Sequence, residues 1–230
     1  MGSRRIGGRR VEALVDNLLD HAPLNGINGS QFVLCDPDRF HLEEYFARRP
    51  ALNTNIAIAF NLDFELLGAN AANANVTYST TTTGLKLTTA GADDDAMIVL
   101  PHLDSNQTAW SNTKFGTENQ VQWECLLRTD ASIADMTWYA GLKLTNADAY
   151  ATDDDQAYFL YSSNDDSGAL TTNANLHFVY SIGGTDFITD LGIPVAAATT
   201  YRLAVSIDSD RKASVFVDGV QYSVVTTSTA

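Results

Sequence analysis

The chain has 230 residues, of which 45% are hydrophobic and 10% aromatic, and its formal net charge is −14 at pH 7. This composition can bury a core and excludes a disordered polymer, and no apolar run approaches the ~20 residues of a membrane-spanning helix, so we expect no membrane partner. The two cysteines, Cys35 and Cys125, are too few for a disulfide-rich scaffold. We expect two buried or half-buried thiols, with a single disulfide as the alternative.

The charge is unevenly distributed along the chain. Residues 1–50 hold seven arginines and seven acidic residues, whereas residues 51–230 hold seven basic and 21 acidic residues and account for the whole net charge. An acidic body of this kind repels phosphate backbones, so we expect no nucleic-acid partner. The first ten residues carry arginines as their only charged side chains, which favours docking of this segment on an acidic partner.

Residues 1–52 are predicted to form an N-terminal arm with one or two short helices. Apolar residues recur over 10–21 with the spacing of an amphipathic helix, and Asp36-Pro37-Asp38 is a favourable start for a second helix over 40–49. The arm is too short for an independent core, so the apolar stripe must be buried against the rest of the chain, another copy or a different protein.

From residue 53 to residue 230 the pattern changes to short runs of period-two alternation, separated by clusters of Asn, Asp, Gly, Ser and Thr. This spacing predicts an all-β sandwich with antiparallel sheets. The predicted strands are Ile56–Leu67, Val76–Thr80, Leu85–Thr89, Ala96–Leu100, Gln120–Arg128, Met136–Leu144, Gln156–Ser162, Leu176–Ile182, Phe187–Asp190, Tyr201–Ile207, Ala213–Val217 and Val220–Val225.

The clearest of these runs lies near the C-terminus. Tyr201–Ile207 alternates apolar and polar residues, Asp208–Arg211 turns the chain, and Asp218-Gly219 supplies a tight hairpin after Ala213–Val217. This stretch resembles the late hairpin of concanavalin-A-like (laminin-G-like) jelly-roll domains, and the resemblance implies an antiparallel jelly-roll β-sandwich over residues 53–230. Because this fold carries lectins, glycanases and inert structural modules alike, it does not set the function.

Carboxylates are the first candidates for chemistry, because glycanases of this fold place paired acids on one face of a strand. Asp63 and Glu65 share a face, but no third acid follows them and we expect a solvated surface there. The acidic runs Asp93–Asp95, Asp153–Asp155 and Asp165-Asp166 are calcium candidates, although without an Asp-x-Asp-x-Asp-Gly loop we expect exposed loop acids. The histidines lack metal spacing, so we expect no metal, no cofactor and no enzymatic activity.

Aromatic side chains are the other candidates for a binding site. Trp110, Tyr150 and Tyr158 are candidates for stacking on a glycan ring, because sugar-binding sandwiches use exposed aromatic residues in this way. Trp123 and Trp138 are expected to lie in the core instead, where most aromatic residues of β-sandwiches pack.

The N-terminal arm carries a second resemblance. Residues 1–50 open with Met1-Gly2-Ser3-Arg4-Arg5-Ile6-Gly7, continue with the amphipathic helix, and resemble the N-terminal arms of virion proteins from tailed bacteriophages. The resemblance implies a non-enzymatic structural protein at the surface of a phage particle, of the capsid decoration (cement) type. The residues expected to anchor or assemble it are Arg4, Arg5, Arg9, Arg10, Val11, Leu14, Val15, Leu18 and Leu19.

The expected partners follow from this interpretation. They are the major capsid protein or another virion protein, together with further copies of the chain in a homo-oligomer. The alternative function is a carbohydrate-binding, lectin-like module of a phage fibre or surface protein, with a host glycan as its partner. A glycan hydrolase is a third alternative, and it would require opposed carboxylates in a groove.

Overall fold

The computed structural model describes residues 44–46, 52–53, 64–79, 84–89, 91, 95–100, 120–143, 154–164, 170 and 172–225. The chain divides between Ala47 and Arg48 into two units, and nearly all described residues belong to the second. The helix predicted over 10–21 lies outside the described residues. The helix predicted over 40–49 is wrong at 44–46, which are not helical; there the Glu44 Oε1 atom accepts the Phe46 N–H at 2.7 Å, and Phe46 has a φ of 48°.

The described part of the second unit is built from β-strands and one 3-10 turn, Asn73–Asn75. The strands are β1 Leu52–Asn53, β2 Phe64–Leu67, β3 Val76–Tyr78, β4 Leu85–Leu87, β5 Ile98–Leu100, β6 Gln122–Arg128, β7 Thr137–Lys143, β8 Gln156–Ser162, β9 Asn175–Ile182, β10 Thr185–Pro194, β11 Thr200–Ile207, β12 Ala213–Val217 and β13 Val220–Tyr222.

Two four-stranded antiparallel sheets form the body of this unit. The meander sheet has the order β10-β9-β8-β7, in which sequence neighbours pair throughout. The C-terminal sheet has the order β13-β12-β11-β6, so that β6 precedes the meander and β11 follows it. The edge strand β6 pairs with β11, with Cys125 opposite Leu203, so the whole meander lies in sequence between these two paired strands.

The two sheets share one hydrophobic core. Alternate residues of β11, from Tyr201 to Ile207, are buried, which confirms the predicted alternation. Phe159 of the meander sheet lies at the centre, where its ring meets the Phe178 ring edge-to-face at 5.4 Å and the Trp123 ring of the C-terminal sheet at 6.4 Å. The predicted core positions of Trp123 and Trp138 are confirmed, since both pack against this cluster.

Strands β8 and β9 are buried on both faces. Tyr158, Leu160 and Val179 point away from the shared core and form a second cluster with Leu170. Gly141 of β7 faces Tyr158 across the ladder, and a Cβ atom there would lie 2.5 Å from the Tyr158 Cα atom. Only glycine therefore allows β7 to approach β8 so closely.

The hairpin turns follow the local sequence. Gly183 and Gly184 have φ angles of 56° and 75°, and Asp218 and Gly219 have φ angles of 52° and 81°. Two consecutive residues with positive φ are the type I′ geometry that matches the twist of the flanking strands. The Asp218-Gly219 turn lies where the sequence predicted a tight hairpin.

Several details differ from the predictions. Strand β10 extends from Thr185 to Pro194, because a register shift between Asp190 and Ile193 lets pairing with β9 continue. Strand β1 was not predicted, and it pairs with β2 in parallel, so the unit is not antiparallel throughout. Of the long strand predicted to end at Leu67, only β2 lies within the described residues.

Candidate functional site

One end of the sandwich is held by an ion pair between the two sheets. The Arg211 Nη2 atom, in the turn between β11 and β12, donates to the Asp155 Oδ1 atom at 2.8 Å and to the Oδ2 atom at 2.7 Å. The two side chains are only 29% and 14% exposed. The Gly183 N–H also donates to Asp155 Oδ1 at 3.2 Å, and the Tyr180 hydroxyl donates to the Arg211 carbonyl oxygen. Asp155, a calcium candidate from the sequence, therefore joins the sheets.

The other end is held by neutral hydrogen bonds. The buried Thr129 hydroxyl donates to the Ala196 carbonyl oxygen at 2.7 Å and accepts the Thr199 N–H at 3.0 Å. The Ala196 N–H donates to the Tyr201 hydroxyl at 2.8 Å. Because buried polar groups are costly unless they are hydrogen-bonded, these contacts fix the loop between β10 and β11.

A third polar cluster lies where the β10 register shifts. Asn175 Nδ2 donates to both oxygens of Asp190, at 2.9 and 3.1 Å, and the Gly192 N–H donates to Asp190 Oδ1 at 2.7 Å. Burial acts to raise the pKa of Asp190, but the hydrogen bonds from Gly192 and Asn175 outweigh it, and the pKa is lowered. The neighbouring His177 is fully buried, with Nδ1 3.0 Å from the Asn175 carbonyl oxygen.

Cys125 is a free thiol on the inner face of β6, packed against the shared core. Burial raises its pKa from 9.0 to about 12, and the neighbouring Glu124 carboxylate acts in the same direction. With this raised pKa the thiol of Cys125 stays protonated at neutral pH. The cysteine is therefore unreactive there, because only the thiolate is nucleophilic. Cys35 lies outside the described residues.

The outer face of the C-terminal sheet is the candidate interaction surface. Its residues are Gln122, Glu124, Leu126, Arg128, Arg202, Ala204, Ser206, Ser214, Phe216 and Gln221, which all point away from the core. Leu126 is 73% exposed, more than any other large hydrophobic residue in the described part of the chain. We call these ten residues the outer face.

The outer face carries charges of both signs around Leu126. The Arg202 Nε atom donates to Glu124 Oε1 at 2.7 Å, and the Nη2 atom donates to Oε2 at 3.1 Å. Arg128 donates through Nη1 to the Thr200 hydroxyl at 3.3 Å. An exposed apolar centre with a charged surround is the composition of surfaces that bind other proteins.

The binding residues predicted from the sequence are the nine residues of the arm and three aromatic residues proposed to stack on a glycan. The nine arm residues, Arg4 to Leu19, lie outside the described residues, as do Trp110 and Tyr150. The proposal of Tyr158 as a glycan-stacking residue is wrong for this conformation, because its side chain is fully buried against the Tyr139 ring at 5.8 Å, with the Lys143 Nζ atom 5.5 Å from its ring centre. A sugar ring has no access to it.

The predicted acidic candidates are only partly described. Asp63, Asp93 and Asp94 lie outside the described residues, whereas Asp95 accepts a hydrogen bond from Asn70 Nδ2 at 2.6 Å. Within the part of the chain that the structure describes, no three His, Cys, Asp or Glu side chains converge on a point that could hold a metal ion.

The sequence reasoning missed the outer face. The signal was present in and just before β6, where the alternate residues Val121, Trp123 and Cys125 share one face. Leu126 therefore falls on the opposite, polar face with Gln122, Glu124 and Arg128. An apolar residue at a position of the alternation that points to solvent indicates an exposed apolar site.

Comparison with protein families, curated proteins and solved structures finds no family model, protein or structure that matches this chain. None of the described residues belongs to a helix with the length and apolarity needed to span a bilayer.

Proposed function

We propose that the chain is a non-enzymatic structural protein of a phage particle, a capsid decoration protein at the particle surface. In this proposal residues 1–52 anchor it to the major capsid protein or another virion protein. The sandwich that follows, of the concanavalin-A-like jelly-roll type, forms the solvent-facing body.

The observation that supports this role is the closure of the sandwich at both ends. The Asp155–Arg211 pair ties the sheets together at one end, and Thr129 fixes the β10–β11 loop at the other. Within the described part of the chain, the side chains of Asp155, Arg211 and Thr129 are hydrogen-bonded to one another or to the backbone of turns and loops. A rigid acidic body is suited to a particle exterior, where it resists unfolding and remains soluble.

The arm supplies the anchoring in this proposal. Its arginines would pair with acidic groups on the shell, and its apolar stripe would be buried on assembly, which matches the behaviour of segments that order when they bind. The variant L14D/L18D places two charges in the stripe and changes no residue of the sandwich. The paired control variant is N17D/D20N, which changes polar residues of the same segment.

The experiment is peptide mass spectrometry of purified phage particles from the strain whose genome encodes the chain. We expect the chain in the particles at a copy number commensurate with the capsid lattice, and we expect L14D/L18D, but not the control, to be lost from them. Absence of the intact chain from the particles would refute the proposal.

A lectin-like module is the second candidate, favoured by one observation. Phe216 is a partly exposed aromatic residue on the outer face, opposite Ala204 on β11 and Gln221 on β13. An aromatic ring beside small and hydrogen-bonding side chains is a common composition of ligand sites. Glycan-array binding by the intact chain, abolished by F216A but retained by V220A, would support this candidate, and an empty array would exclude the glycans tested.

A further inference from the structure

On the outer face of β6 an acidic residue and a basic residue lie at equal distances on either side of an exposed leucine. Glu124, Leu126 and Arg128 occupy successive positions on the outer face, because alternate residues of a strand point the same way. Leu126 is the exposed apolar residue, with an acid two positions before it and a base two positions after it.

Such an order is self-complementary under a two-fold rotation centred on Leu126. The rotation sets a second β6 antiparallel to the first, which brings Leu126 onto its own copy. It also brings each Glu124 opposite the other copy's Arg128. An isologous interface requires this relation, in which residue i meets residue j and j meets i.

We propose that the outer face binds a second copy of this chain, in a two-fold contact centred on Leu126 with two reciprocal Glu124–Arg128 pairs. The contact uses the sandwich alone and goes beyond the anchoring role of residues 1–52. It stands or falls independently of the particle role.

The charge distribution of the chain favours a second copy of the chain over an unrelated partner at the outer face. Residues 51–230 are strongly acidic, yet the outer face carries two arginines and one glutamate. Two copies that met through other acidic surfaces would repel each other, whereas this patch offers both signs in the required order. Arg202 lies opposite Leu126 on β11, so the rotation also brings the Arg202 residues of the two copies near each other. Each Arg202 is paired within its own copy with Glu124, whose carboxylate has further lone pairs for the partner's Arg128.

The apolar centre supplies the affinity in this arrangement. Each Leu126 leaves water when it meets its copy, and the charged residues around it set register and orientation. We therefore expect L126S to weaken self-association on the order of 100-fold. V220A, which truncates an exposed apolar residue of β13 away from the two-fold centre, is the matched control and should leave it unchanged.

The test uses the intact chain and two single charge reversals. R128E makes the reciprocal contacts Glu–Glu, and E124R makes them Arg–Arg, so each variant alone should self-associate about tenfold more weakly or worse. K212E and D210R are the matched controls, because they reverse charges at exposed positions of the β11–β12 turn.

Mixing the two single variants separates this geometry from general destabilisation. In a heterodimer of R128E with E124R, both reciprocal contacts again join an acid to a base. Sedimentation velocity and native mass spectrometry of the mixture should show a heterodimer that is at least about tenfold more stable than either variant homodimer. Circular dichroism of each variant checks that the sandwich is folded.

The outcomes decide the proposal in either direction. A dimer of the intact chain that is lost in each single variant and recovered on mixing supports it. An intact chain that stays monomeric to about 0.5 mM overturns it. Self-association that is indifferent to Leu126, or that is not recovered on mixing, also overturns it and assigns assembly to other residues.

Discussion

Alkaline pH should destabilise the protein through Cys125, and substitution of this residue should remove the effect. The thiol is packed in the core and its pKa is raised from 9.0 to about 12. A raised pKa in the folded state means that the folded protein holds a proton which the unfolded chain releases. Its stabilising contribution is therefore complete below pH 9 and is lost as the pH rises from 9 through 12.

The magnitude follows from the two pKa values. At pH 11 the unfolded thiol is ionised and the folded thiol is mostly protonated, so the free energy of unfolding falls by about 3 kcal/mol relative to pH 8. Tyr180, whose pKa is raised to about 12 mainly by burial, changes stability in the same direction, but it does so equally in the wild type and in C125A.

The assay is urea unfolding of the wild type and C125A at pH 6, 8 and 11, with a reductant that keeps Cys35 from forming disulfides. Between pH 6 and 8 the two proteins should change in parallel, because the Cys125 thiol stays protonated in both states. From pH 8 to 11 the wild type should lose about 2 to 3 kcal/mol more than C125A. Equal losses in the two proteins would refute the claim that Cys125 stays protonated in the fold.

Three further predictions address the ties and close contacts of the sandwich. D155A removes the carboxylate that binds Arg211 between the sheets and should lower the free energy of unfolding by about 2 to 4 kcal/mol in thermal or urea unfolding, while the exposed control D154A should change it by less than about 0.5 kcal/mol. An equal change in the free energy of unfolding for D155A and D154A would show that the Asp155–Arg211 pair does not stabilise the fold. The pKa of Asp190 is lowered, so its stabilising contribution is present above the unfolded pKa and is lost as the pH falls through the folded one. The wild type should accordingly be more stable than D190N at pH 7, with the difference shrinking below about pH 4 in acid titrations followed by circular dichroism, and a constant difference would contradict this. G141A should lower stability by more than about 3 kcal/mol, because its Cβ atom would meet the backbone of the facing strand, and a near-neutral effect would show that β7 can shift away.

Local features of the sandwich were predictable where they depend on neighbouring residues. Gln156–Ser162 and Ala213–Val217 are strands with the predicted bounds, and the Asp218-Gly219 turn has the predicted geometry. These elements are determined by alternation and by the tolerance of glycine and aspartate for positive φ, which act within a few residues.

Features that depend on distant residues were not predictable in this way. Asp155 and Arg211 are 56 positions apart, and no local pattern indicates that they meet. Tyr158 was misread because the run from Gln156 to Ser162 is buried on both faces, so its alternation does not separate an inner side from an exposed one. The exposed site at Leu126 could have been noticed from its phase within β6.

The ladder between β6 and β11 has a consequence for synthesis on the ribosome. Thr200, the first residue of β11, lies 72 positions after its partner Arg128. At translation rates of about 5–20 residues per second, β6 would wait roughly 4–14 s before β11 could emerge to pair with it. During that interval the indole of Trp123 and the side chain of Leu127 have no sheet partner, so the nascent chain depends on the meander or on a chaperone to shield them.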